Sequence, residues 1–263
     1  MALVDGNVLV TGATGGIGQA IARAFAPRGA TLLLTGRRSD VLAPLAEETG
    51  GRALPCDLAS RPDVERLIAE AGDVDVLVAN AALPASGALL EYDQDGIDRA
   101  LEINLRAPIT LARALVPGMV ARRRGHLVFI SSLQGKAPTP NSSLYVATKF
   151  ALRGFALALR EDLRADGVGV SVVLPGFIRD AGMFADSGVR LPMGVGTRTP
   201  EQVAAAVISA IERNRAEVVV APPAMRIGAT LAGIVPELSA AVSRCLGSHE
   251  IAAAVADTQV DKR

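Results

Sequence analysis

The chain has 263 residues, half of them hydrophobic and 21% charged, with 27 Lys and Arg against 27 Asp and Glu. That composition excludes a disordered chain, which needs low hydrophobicity and high net charge, and the balance of charge advertises neither nucleic acid nor an anionic membrane surface. Two cysteines, two histidines and no tryptophan leave no disulfide framework, no structural zinc cluster, no Ser-His-Asp constellation and no sandwich built on a buried Trp.

Met1 to Asp5 reaches an acid before any apolar run, so no signal peptide is expected and the expected location is the cytoplasm. Short apolar runs then recur at Asn7 to Thr11, Thr31 to Thr35, Asp75 to Asn80, His126 to Ser131, Val168 to Leu174 and Glu217 to Ala221. They are continuous rather than alternating, the pattern of strands buried on both faces of a parallel sheet. Between them, Ile17 to Ala26, Ile97 to Val116 and Leu144 to Arg164 are long enough for crossover helices. Strand and helix in alternation predict an α/β fold: a doubly wound, Rossmann-type parallel sheet of about seven strands with helices on both faces, one domain over residues 1–263. Phe177 to Arg198, rich in Gly and Met and without periodicity, reads as a lid. It ends at Thr199-Pro200-Glu201-Gln202, a capping box with Pro at the first helical position. A helical extension from about residue 224 to 256 follows. Its uncharged stretch, Ile227 to Pro236, is half the roughly 20 residues that a membrane span requires.

Directly after the first strand, Thr11-Gly12-Ala13-Thr14-Gly15-Gly16-Ile17-Gly18 opens a helix. Glycines let the backbone turn tightly and approach a pyrophosphate, whose charge then meets the outward N–H groups of the helix N-terminus. A plain Gly turn would leave the same string. The second strand ends Leu34-Thr35-Gly36-Arg37-Arg38. An NAD site places an acid at the end of this strand for the ribose 2′-hydroxyl, whereas a guanidinium there accommodates a 2′-phosphate. With Gly36 where the acid is expected and Arg37 after it, NADP(H) is favoured over NAD(H), the alternative being a pair of solvated surface charges. Asp57 follows Pro55-Cys56 in a βα loop, where Asp commonly caps a helix. Asn80-Ala81-Ala82 closes the run that begins at Asp75, where a turn also wants Asn. Ile103-Asn104-Leu105 puts Asn inside a helix, an unfavoured choice often accompanied by a bend. Ser131 and Ser132 end a buried strand, and Tyr145-Val146-Ala147-Thr148-Lys149 sets a phenol and an ammonium on one helical face. An ordinary tyrosine has a pKa of about 10. A nearby cation stabilises the phenolate and moves it toward working pH, where it can exchange a proton with a carbonyl or alcohol oxygen.

From Val8 to about Val220 these segments resemble the short, single-domain branch of the short-chain dehydrogenase/reductase family, whose glycine loop reads TGxxxGxG. The resemblance implies that Tyr145 is the acid/base, that Lys149 binds the nicotinamide ribose while lowering the tyrosine pKa, and that Ser132 hydrogen-bonds the substrate oxygen. It assigns Asn104 to holding a water in a proton relay to the lysine. It further implies that Gly12, Thr14, Gly16, Ile17 and Gly18 contact the cofactor through the glycine loop, with Arg37 and Arg38 at the 2′-phosphate. Asp57 would accept from the adenine amino group, with Leu58 beside it. Asn80 and Ala81 would let the cofactor pass close to the backbone, and Pro175, Gly176 and Ile178 would face the nicotinamide. No metal is implied. Ala79 and Ala82 depart from the family's NNAG segment, and Asp180 stands where the family commonly has Thr. Asp180 is expected to accept from the carboxamide amine or to close the lid, with Arg179 pairing to offset its charge.

The expected function is therefore an NADP(H)-dependent oxidoreductase interconverting a carbonyl and a secondary alcohol. Met183, Phe184, Val189, Leu191 and Met193 would make the lid apolar and point to a hydrophobic small-molecule substrate, although apolar loop residues need burial in any case. The alternative is an NADP(H)-binding scaffold or sensor without turnover. The intact Asn104, Ser132, Tyr145 and Lys149 argue against it, since a binding module needs no proton relay. Ile227 to Leu246 suits subunit packing as well as a lipid surface, and the absence of a basic cluster weakens the lipid reading. Helices Pro108 to Arg122 and Leu144 to Arg164 are richer in Ala and Leu than one sheet-facing stripe needs. The resemblance makes them the contact of a homodimer or homotetramer.

Overall fold

A computed structural model describes residues 3–189, 191, 195–235, 237, 241 and 248–259. Seven strands form one sheet in the order β3-β2-β1-β4-β5-β6-β7. They are β1 (Asn7–Thr11), β2 (Thr31–Gly36), β3 (Arg52–Pro55), β4 (Val76–Ala79), β5 (Gly125–Ile130), β6 (Val168–Pro175) and β7 (Glu217–Val220). Every neighbouring pair is parallel. Strand order reverses between β1 and β4, so their carboxyl ends diverge and leave a crevice between the connections on either side. The runs read from sequence match six of these strands to within a residue at each end. The four-residue β3 was not among them: it lies at the sheet edge with only Leu54 buried, too short and too polar to stand out.

Side chains alternate between the two faces of the sheet, and each face carries its own core. On one side Val8, Val10, Leu32, Leu34, Val76, Val78 and Val128 pack under α1 (Gly16–Phe25), α2 (Ser39–Thr49) and α8 (Pro200–Glu212). On the other, Leu9, Leu33, Leu77, Leu127 and Phe129 pack under α3 (Arg61–Ala71), α5 (Ala107–Ala121) and α6 (Ser143–Asp162). Each fully buried Leu or Phe contributes about 1.5–3 kcal/mol. These two layers therefore hold the strand ends, and the residues on them, in fixed positions.

Local chemistry decides where the helices begin. Ser60 caps α3 through Asp63 N–H, Asp93 caps α4 (Gln94–Leu101) through Gly96 N–H, and Thr199 with Gln202 forms the expected reciprocal capping box of α8. The helix expected over Ile97 to Val116 is interrupted. A π-helical turn at Glu102–Arg106 separates α4 from α5, with Asn104 at its centre. The bend anticipated from an Asn inside a helix is there, as a bulge of the kind that often marks a functional position.

The lid segment is not wholly irregular. Arg179 N–H donates to Arg198 O and Arg198 N–H to Phe177 O, both at 2.9 Å, pinning its two ends together. Between them lies a short helix, α7 (Met183–Ser187). Beyond β7 the chain forms α9 (Pro223–Ile234) and α10 (Ser248–Asp257). Met193 lies outside the described residues, as do Pro236 and much of the stretch from there to Leu246. Among the described residues no helix is long and apolar enough to cross a membrane, and no cluster of His, Cys, Asp and Glu could hold a metal.

Candidate active site

The glycine loop runs from β1 into α1 on the crevice side of the sheet. Gly12 has φ +64°, and a Cβ there would lie 2.7 Å from Ala81 Cα; a Cβ on Gly18 would collide with Gly12 O. Only glycine lets the loop fold this tightly onto the end of β4. Ala13 N–H bonds Thr35 O at 2.9 Å, holding the loop against β2. The α1 N-cap, Gly15, makes no side-chain cap bond, so the first turn's N–H groups point at the crevice without a side-chain partner. Asn80 acts as a brace: its Nδ2 donates to Thr11 O and Gly12 O at 3.0 and 3.2 Å. Thr11 Oγ1 in turn accepts from the N–H groups of Asn80 and Ala81. Thr11 was not singled out in the sequence, where a Thr ending a strand carries no signal.

At the end of β2 there is no acid, and none would fit without displacement, because a Cβ on Gly36 would lie 2.8 Å from Thr14 Cγ2. Arg37 and Arg38 are exposed and border the crevice, and Arg38 Nη2 donates to Thr14 O at 2.5 Å. Asp57 and Leu58 line the same end. Asp57 Oδ1 also accepts from Ala59 N–H at 3.1 Å, so this side chain orders its own turn as well.

Ser132, Tyr145 and Lys149 converge on one wall of the crevice. Ser132 lies two residues past β5 and its Oγ accepts from Gln134 N–H at 3.1 Å. Ser131 Oγ donates to Lys149 O at 2.9 Å, tying the strand end to α6. Lys149 is buried, its Nζ donating to Ile130 O at 3.1 Å and lying 5.4 Å from the centroid of the Tyr145 ring. Burial lowers the ammonium pKa to about 8. Burial likewise pushes the Tyr145 phenol up to about 12, only partly offset by its hydrogen bond with Ser132. The expected lowering by the lysine is thus not found in the protein alone. The cation sits over the ring and on a backbone carbonyl, and loss of solvent dominates the phenol's environment.

Asn104 is completely buried and spends its amide on one residue. Its Oδ1 accepts from Leu83 N–H at 2.7 Å and its Nδ2 donates to Leu83 O at 3.0 Å. A third brace comes from Glu217 at the start of β7, which holds Lys136 at 2.7 Å and Arg153 of α6 at 2.5 Å. Burial opposes ionisation of Glu217, but the two cations overcome it and hold its carboxyl below the usual range.

The glycine loop, the end of β2 and the wall of Ser132, Tyr145 and Lys149 open into one cavity of about 1300 Å³. Pockets for a single small ligand occupy roughly 300–1,000 Å³, so there is room for a dinucleotide and a second molecule. Pro175, Gly176 and Ile178 lie on its wall. Of the expected lid residues, Met183 and Phe184 line it, with Phe184 packed at a tilt against Phe177, 4.8 Å between ring centroids, while Val189 and Leu191 do not. Asp180 is also outside the wall. It is an exposed residue at φ +70° paired with Arg179 at 3.3 Å, so the expected ion pair is present. The sequence reading missed what the chain beyond β7 supplies: Met225, Ala229 and Ala232 of α9, Val255 of α10 and Gln259 just after it close the far side.

The family model described as short chain dehydrogenase matches residues 6–189. Ketoacyl reductase HetN of Nostoc sp. is 36% identical over 227 residues, 83% of this chain and 79% of its own length. The dehydrogenase/reductase SDR family member 7B of Bos taurus is 34% identical over 253 residues, 88% of this chain and 78% of its own. A short-chain dehydrogenase from Sphingobium yanoikuyae, solved in complex with NADPH, superposes with a TM-score of 0.74 at 31% identity. That match covers 89% of this chain and 95% of the other.

Proposed function

The chain belongs to the short-chain dehydrogenase/reductase family of oxidoreductases acting on CH–OH and C=O groups, and from that premise we propose that it is NADP(H)-dependent and works on a hydrophobic substrate. The observation that carries the reading is the buried wall formed by Tyr145 and Lys149, one helical turn apart on α6, with Ser132 hydrogen-bonded to the phenol. The glycine cradle at Gly12 to Gly18, which an added Cβ would fill, suits a pyrophosphate. A nicotinamide cofactor bound here supplies the hydride.

The chain's own part is binding, orientation and the proton. Ser132 and the Tyr145 hydroxyl hold the substrate oxygen. In reduction Tyr145 donates its proton to that oxygen as the carbon accepts hydride; in oxidation it takes the proton back. The charged Lys149 stabilises the phenolate left behind and binds the ribose. Asn104 holds the Leu83 turn and the π bulge in place, both polar atoms of its amide being bonded to Leu83. Arg37 and Arg38 bind the 2′-phosphate, a contact for which Lys136 and Arg153 are not available because both are paired with Glu217. Met183, Phe184, Met225, Ala229 and Val255 form the apolar half of the chamber. The exposed face of α6, with Ala147, Phe150, Ala151, Gly154 and Ala158, is the contact of a homodimer or homotetramer.

The test is consumption of NADPH and NADH with a panel of aliphatic and aromatic ketones. Faster use of NADPH with the apolar members, abolished in Tyr145→Phe, is the expected result. Equal use of NADH overturns the cofactor assignment, and turnover that survives Tyr145→Phe overturns the mechanism. Light scattering that shows a monomer would remove the oligomer.

A further inference from the structure

Gln259 lies just beyond α10, in a part of the chain that no motif touches. Its residue exposure is 2%, and it borders the cavity beside Met183. Its Nε2 donates to Met183 O at 3.0 Å, and its Oε1 has no hydrogen-bond partner. The orientation of the amide follows from chemistry: a backbone carbonyl can only accept, so the nitrogen faces Met183 and the oxygen is the atom left over. A buried acceptor with no partner is costly and rare in a folded protein. Among the described residues one other buried side-chain oxygen lacks an N or O partner, Thr35 Oγ1, and it has the Cys56 thiol beside it as a hydrogen-bond partner, which leaves Gln259 Oε1 as the unmet acceptor on this cavity. Thr35 stands at the nucleotide end, beside Gly36. Gln259 stands at the substrate end, because Met183, to which it is bonded, packs against the cluster containing Tyr145.

From this we propose that Gln259 is a specificity-determining residue. The substrate is an apolar carbonyl or alcohol compound that carries a second polar group, a hydroxyl or an amide N–H apart from the reacting oxygen, and this donor hydrogen-bonds to Gln259 Oε1. The proposal rests on the reductase reading above for the identity of the chamber. The apolar surroundings sharpen the selection. Met183, Ala252 and Val255 make the wall around Gln259 largely apolar, with Asp186 of α7 another acceptor on the cavity. A buried acceptor in such a wall discriminates against the analogue lacking the matching donor, which leaves it unpaired.

The experiment compares matched pairs of medium-chain aliphatic ketones, with and without a hydroxyl a few carbons from the carbonyl, in wild type and Gln259→Met. The variant keeps the volume and removes both amide groups. Wild type is expected to favour the hydroxylated ketone by about tenfold in kcat/KM, and Gln259→Met to erase that preference while the plain ketone keeps its rate within about threefold. A loss that falls equally on both ketones assigns Gln259 to holding Met183 alone and overturns the proposal, as does a wild type with no preference. If wild type reduces neither ketone, calorimetric binding of the matched alcohol and diol in the presence of NADP decides. Tighter binding of the diol that disappears in Gln259→Met upholds the proposal while the reductase reading falls, and equal binding of the two removes the proposal.

Discussion

The two ends of the sheet bury polar and titratable side chains in opposite ways. At the amino end, His126 sits at 1% exposure beside a small cavity of about 510 Å³ formed with Arg160, Arg164 and Asn214. Its Nε2 lies 2.8 Å from Ser171 Oγ, and Ser171 donates to Arg215 O, so Nε2 carries the hydrogen and the bonds run from the ring through Ser171 to the backbone. Arg160 is equally committed, donating to Val170 O, Asn214 Oδ1 and Asn214 O. At the carboxyl end, Lys149 Nζ has one backbone carbonyl, and Gln259 keeps its Oε1 unpaired. Saturated networks position the chain; incompletely paired groups on a cavity wall are where a ligand completes the bonding. One end of this sheet is built for stability and the other for chemistry.

The largest effect that would test this contrast is a pair of substitutions. Tyr145→Phe is expected to lower kcat/KM by about 10²–10⁴-fold, the range for losing a general acid, with the melting temperature unchanged or raised because a buried hydroxyl is gone. His126→Leu is expected to do the reverse, shifting stability while turnover stays near wild type. Loss of turnover in His126→Leu without a change in melting temperature would erase the distinction.

Next in size is the acid response of the amino end. Burial, reinforced by the Arg160 charge, lowers the His126 pKa to about 4. The unfolded chain binds that proton near the ordinary value of about 6.5, and the folded chain resists it. The stability contribution is therefore complete above about pH 6.5 and drains away as pH falls toward 4, on the order of 3 kcal/mol in total. Denaturant unfolding across that window should show this slope in wild type and a shallower one in His126→Leu. Equal slopes would mean that the carboxylates alone carry the acid response.

Much of this division was legible in the sequence, and the failures have physical causes. Continuous Val and Leu runs report two-sided burial, which is why the sheet and its Gly12 to Gly18 loop could be read directly. Tyr145 and Lys149 stand out because four-residue spacing on a helix is a geometric statement. Asn104 announced a bend but not its partner, since Leu83 is distant in sequence. The shift of Tyr145 was misjudged because desolvation depends on what covers the phenol, and α7 belongs to a segment without periodicity. Asp180 was placed by its position relative to Gly176, whereas a backbone at φ +70° turns it to solvent. Gln259 gave no signal at all: a lone amide near a chain end means something only once Met183 is seen beside it.

Two smaller effects sharpen the contrast within the carboxyl end itself. Arg37→Ala is expected to weaken NADPH binding by about tenfold and leave NADH nearly unchanged, the size of one charge-assisted hydrogen bond, readable as a lost thermal shift with NADPH. An equal loss for both cofactors would make Arg37 a structural residue. Smallest is Asp180→Asn, which keeps a residue tolerant of positive φ and removes only the charge. Asp180 is exposed, its ion pair with Arg179 is exposed too, and its side chain is off the cavity wall. Exposed pairs contribute about 0–1 kcal/mol, so cofactor affinity should stay within about twofold and stability within about 0.5 kcal/mol. Thr is the wrong probe at this position, because a β-branched side chain at φ +70° adds backbone strain to the loss of charge. A tenfold loss of affinity in Asp180→Asn would instead bring this residue to the cofactor in the bound state and make the lid's ion pair part of the chemistry end.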